Sequence, residues 1–225
     1  MNLTILLALV AAWFAVVILK RIVGHLLLRR VGREALAEVG RRALTRLPEY
    51  VSLLPVEHAE FTNPDAMRQQ SEPLAACGFQ DAGVYSVAQM PGVLIRMMAQ
   101  PETGVAAHIH DHPRQGSWLE MVSRYDDGST QAVLTMTPTG LKAPSWFHRI
   151  YADKSIPTDQ IYKRFVAQRP QKGIRQIPVS RIVREFEEVY HRLAQWRQEA
   201  GITPQEVAHV AVKWAEKKKV NAAGI

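Results

Sequence analysis

Apolar positions recur along this chain in three rhythms, and each rhythm predicts a different element. Leu3–Leu19, LTILLALVAAWFAVVIL, is apolar except for Thr4 and carries no charge. Val84–Met136 alternates in short runs separated by turn residues. Val179–Glu199 repeats in threes and fours.

The first rhythm is that of a membrane-crossing helix. About 19 residues at 1.5 Å each span roughly 28 Å, close to the hydrocarbon core of a bilayer. Apolar residues cover every face of such a helix, which argues against burial in a globular core. A cleaved signal peptide wants basic residues before the run, whereas here Lys20-Arg21 closes it. The expected organisation is a transmembrane anchor over 1–19, a basic juxtamembrane helix over 20–48 and a cytoplasmic α+β domain over 49–225. Lys and Arg gather after the run, which predicts a single-pass protein of the inner membrane with its N-terminus outside.

In the second segment Leu28, Val31, Ala35, Val39 and Ala43 recur at helical spacing with arginines between, up to Pro48. Asn63-Pro64 then suits a helix start, with Asn as cap and Pro in the first turn, and Gly78 suits its end.

The second rhythm predicts five strands: Val84–Gln89, Val93–Ala99, Val105–His110, Trp118–Tyr125 and Thr130–Met136. Pro91-Gly92, Pro101–Gly104, Pro113–Gly116 and Asp126–Gly128 separate them as hairpin turns. Connections this short leave no room for crossover helices, so the strands are expected to form an antiparallel meander. Thr137–Pro157 reads as a long ordered connection pinned by Trp146, Phe147 and Tyr151. A short helix over Thr158–Gln168 and a loop to Pro178 follow.

The third rhythm is an amphipathic helix with Ile182, Phe186, Val189, Leu193 and Trp196 on one stripe. Thr203, Pro204 and Glu206 form a capping box for a last helix. The C-terminal helices are expected to cover one face of the sheet.

Charge changes the picture in one respect. The chain has 225 residues and a net charge of +7, of which residues 20–46 carry +6. The basicity belongs to the segment after the apolar run, so Lys20, Arg21, Arg29, Arg30 and Arg33 are expected to meet anionic headgroups, and a nucleic-acid surface is not. The single cysteine, Cys77, excludes an intramolecular disulfide and reads as a small buried apolar residue.

Gly104-Val105, Asp111-His112-Pro113, Gly116-Ser117-Trp118, Met121–Tyr125 and Asp127-Gly128, with Trp196-Arg197 and the Gly201–Glu206 cap, resemble an uncharacterised bacterial domain family of unassigned activity. The likeness covers about residues 70–215. It implies one intact domain and carries no reaction, ligand or catalytic residue.

Candidate chemistry centres on His108-Ile109-His110-Asp111-His112. Alternation on a strand sends His108, His110 and, where the strand extends to it, His112 to one face, a spacing used to hold zinc, iron or manganese. The pattern resembles the His-x-His of cupins, although Arg114-Gln115 stand where a glutamate would be wanted. If Ile109 pairs with Leu119, Glu120 falls opposite His108 and Trp118 opposite His110, which completes a set of two histidines and a carboxylate on what reads as the more exposed face. The plainer alternative is a cross-strand His–Glu pair. Arg96, Glu120 and Arg124 form a second possible cluster on that face, as an acidic-ligand site or as ion pairs. No phosphate-cradling loop, dinucleotide fingerprint, nucleophile elbow or His-Glu-x-x-His is present. The expected function is therefore a membrane-tethered, non-catalytic binding or scaffolding module with a protein partner. The alternatives are a metal-dependent enzyme on His108, His110 and Glu120, and a lipid or small-ligand binder with an apolar pocket near Trp146 and Phe147.

Overall fold

The computed structural model describes residues 31–222. Two compact units divide it, one built from residues up to Arg46 together with those from Gly201 onward, the other from Leu47–Ala200.

In the smaller unit a helix covers residues 31–44 (α1). Val31 and Val39 on its expected apolar stripe are exposed. Gly40 is buried, and a Cβ there would come within 2.7 Å of the Ile202 carbonyl. The Pro204–Ala222 helix (α5) belongs to the same unit. Its capping box forms: the Glu206 backbone N–H donates to Thr203 Oγ1 at 3.2 Å, and the Thr203 N–H donates to the Glu206 carboxylate at 3.0 Å.

The larger unit is a sheet between two helical layers. Its strands are β1 (Leu53–Pro55), β2 (Gln80–Val87), β3 (Leu94–Gln100), β4 (Val105–His112), β5 (Gly116–Tyr125), β6 (Thr130–Leu134), β7 (Phe147–Tyr151) and β8 (Ile174–Arg175). β1 to β7 lie side by side in chain order, and β8 pairs with the end of β5. The helices are α2 (Pro64–Ala76), α3 (Thr158–Gln168) and α4 (Ile182–Ala200).

The five-stranded antiparallel meander is corrected to a mixed eight-stranded sheet, because β7 runs parallel to β6. A parallel neighbour requires the chain to travel back before it pairs, and the dozen or so residues after Leu134 do this. Their prolines gave them the look of a connection, and β7 itself lies inside the segment expected to be one. Phe147 is buried, whereas the Tyr151 side chain is exposed and the residue is held by its pairing with Leu134.

Both faces of the sheet are covered. On one, Met98, Val105, Ala107, Ile109, Leu119 and Met121 pack with Met67 and Leu74 of α2 and with Ile161, Tyr162 and Phe165 of α3. On the other, Ile95, Met97, Ala106, Val122 and Ala132 pack with Ile182, Val189 and the partly buried Phe186 of α4. Three helices therefore serve two faces, in place of a single face covered by the C-terminal pair.

The single-pass membrane placement is also corrected. Among the described residues no helix is long and apolar enough to cross a membrane. Residues 1–19, on which that expectation rested, lie outside the described residues, as do Lys20, Arg21, Arg29 and Arg30. Arg33 is described and is exposed on α1.

Candidate metal centre

β4 and β5 meet in the register Ile109↔Leu119, His108↔Glu120 and His110↔Trp118. A one-residue slip would send Ile109 and Leu119 out of their apolar layer, so hydrophobic burial sets the register and thereby places the polar set. His108, His110 and Glu120 project together toward α4.

Their burial differs from the sequence expectation. The face was read as exposed, yet the His108 and His110 side chains are only 2% and 10% accessible and that of Glu120 15%. α4 is the cause. The Phe186 ring lies 4.9 Å from the His108 ring, edge to face, and 6.1 Å from that of His110. Trp118 stacks on His110 with centroids 4.6 Å apart and planes 7° from parallel.

His108 Nδ1 lies 3.3 Å from Glu120 Oε2, within hydrogen-bonding reach. His110 Nε2 is 3.6 Å from the same oxygen, too far for a hydrogen bond, and has no hydrogen-bond partner despite being buried. One donor atom from each of the three side chains lies within 4.8 Å of the others. Metal–ligand distances of about 2.0–2.2 Å hold donors roughly 3–4 Å apart, so side-chain rotation of about an ångström would close the set.

The electrostatics favour the ligand forms. Burial pushes His108 toward neutral imidazole, opposed by its contact with Glu120. Burial by itself would raise the Glu120 carboxyl, but hydrogen bonding from His108 and the nearness of His110 hold it below the usual carboxylate range. A neutral imidazole and an ionised carboxylate are the states that bind cations.

The second cluster does not assemble. Arg96 pairs with Ile109 and meets Asp81 of β2 and Ser71 of α2. Glu120 and Arg124 project from the opposite face. Arg124 is 4% exposed and reaches Glu185 of α4, with Nε 3.5 Å from Oε2 and a terminal nitrogen donating to the Glu185 carbonyl at 3.2 Å. Burial pulls the Arg124 guanidinium down to about 10 against the opposing charges of Glu185 and Glu120. Arg175 and Arg181 also meet the Glu185 carboxylate, at 3.1 and 3.5 Å. Arg124 and Arg175 thus tie α4 to the sheet through Glu185, while Arg181 lies one turn before it.

The sequence reading missed the parts played by Phe186 and Glu185. Phe186 was legible as a core position of α4, but periodicity within a helix does not say which strand it covers. Near the Trp146–Phe147 segment, the Arg192 guanidinium lies 4.1 Å over the Trp146 ring.

No protein-family model, curated protein or solved structure matches this chain. The functional reading therefore rests on the geometry alone.

Proposed function

We propose that this chain is a metal-binding protein whose sheet unit holds a divalent transition metal on His108, His110 and Glu120. The observation that carries the reading is the buried His110 Nε2, aimed at the His108–Glu120 pair without a hydrogen-bond partner. An unsatisfied buried polar atom costs about 1–3 kcal/mol, and coordination would remove that cost. A cross-strand His–Glu pair accounts for His108 and Glu120, whereas His110 stands 3.6 Å from the same oxygen without a hydrogen bond. Two imidazoles and a carboxylate suit zinc, iron(II) or manganese. Thiolate has no part in it, since Cys77 packs with the layer on the other face.

The test is metal content by mass spectrometry of the full-length chain after growth with zinc, iron and manganese, beside His108→Ala/His110→Ala. About one equivalent in the parent and none in the variant supports the reading. Absence from both removes it.

A non-catalytic protein-binding role has one observation in its favour. β7 ends the strand order and carries exposed Ile150 and Tyr151, a surface to which a partner strand could add. Cross-linking of the full chain, with and without Ile150→Lys, tests it: a cross-linked partner lost in the variant supports a β7 interface, and one retained places the contact elsewhere.

A further inference from the structure

Resting on the metal reading, we infer that the site keeps an exchangeable coordination position facing α4, which takes a small ligand such as water, hydroxide or a small monovalent anion, and that Phe186 limits its size. All three donors come from the sheet, two from β4 and one from β5. A metal held there has its remaining positions on the α4 side. The side chain that α4 places over both histidines is Phe186, which has no donor atom. The nearby carboxylate of that helix, Glu185, is taken up by Arg124, Arg175 and Arg181. Trp118, flat against His110, closes a flank with an apolar ring.

Among the described residues, the only group of three or more metal-ligating side chains is this one. Transition metals of the class that suits it take four ligands or more, and sites with three protein donors fill the remainder from solution. Glu120 is the most accessible of the three, its side chain 15% exposed against 2% and 10% for those of His108 and His110. The Phe186 ring, packed edge to face on His108 at 4.9 Å and lying 6.1 Å from the His110 ring, bounds the site on the α4 side. An exchangeable position of this kind is what separates a reactive metal centre from a purely structural one.

The test loads the full-length chain with cobalt(II), whose visible absorption reports coordination, and titrates it first with azide and then with imidazole. His108→Ala/His110→Ala serves as the control for site-specific cobalt bands. The expected result is bands absent from the control, a saturable change on adding azide, and imidazole binding that becomes about tenfold tighter or more in Phe186→Leu. Phe186→Leu keeps apolar bulk on α4, and its cobalt bands before titration confirm an intact site. Site-specific bands that azide leaves unmoved would overturn the open position while leaving the metal reading in place. Imidazole binding equally to parent and variant would overturn the role of Phe186. No cobalt bands beyond those of the control would overturn the metal reading and the inference together.

Discussion

At the scale of single residues, burial decides what each polar group contributes. His108 binds a proton less readily in the folded protein than in the unfolded chain, where its ordinary value of 6.5 applies. The unfolded state therefore takes up more protons, and stability falls as pH drops below 6.5. Glu120, held below its ordinary 4.5, contributes stability that is present above 4.5 and lost as pH falls through its folded value. For metal-free protein in chelator, the urea midpoint should decline between pH 7 and 5, and the decline should be shallower in His108→Leu. Equal slopes would show that His108 is not responsible. The Arg124–Glu185 pair is a different case, because removing one partner strands a buried charge. Glu185→Ala should cost about 3–5 kcal/mol in urea denaturation. Asp81→Asn, at the half-exposed Arg96 pair, should cost less than about 1 kcal/mol.

At the scale of elements, α4 matters most, because it turns a strand face into a buried site. Ile182, 1% exposed, seats its first turn on the sheet. Ile182→Ala should cost about 2–5 kcal/mol. If that loss loosens α4 over the histidines, Trp118 fluorescence should change before global unfolding, as Trp118 lies against His110 beneath the same helix. The β3–β4 turn is equally constrained. Gly104 has φ +64°, and a Cβ there would meet the Arg175 carbonyl and Ile174 at 2.8 Å. Gly104→Ala should therefore destabilise by more than the roughly 1 kcal/mol of conformational strain alone, with the excess reporting the fit of β8 against the turn.

At the scale of the whole molecule, a metal bound only by the folded state stabilises by mass action. Zinc at a hundredfold excess over its dissociation constant should add about 2.7 kcal/mol to the unfolding free energy. The gain should vanish in His108→Ala/His110→Ala, which differential scanning calorimetry can check. The transition should be followed by probes in the sheet unit, Trp118 among them, because the chain divides into two units and the site lies wholly in Leu47–Ala200.

Local chemistry settled a good deal by itself. The turn residues after β2, β3, β4 and β5 mark breaks that depend on neighbours in sequence. The α3 boundaries, Thr158 and Gln168, are the expected ones. The β4–β5 register follows from keeping Ile109 and Leu119 on one face, so the convergence of His108, His110 and Glu120 was legible from alternation alone. What pairs or packs at long range was not. β7 is a short run of mixed pattern whose partner is reached only after the chain has turned back, so nothing local marks it as a strand. The burial of the histidines comes from α4, about 75 residues downstream, and a helix stripe records that it is covered without recording what it covers. Arg96 and Glu120 fall on opposite faces because register fixes facing residue by residue, whereas composition does not. Tertiary structure alone decided that the histidine face is closed, because desolvation depends on everything that packs over a site, and that information is spread along the whole chain.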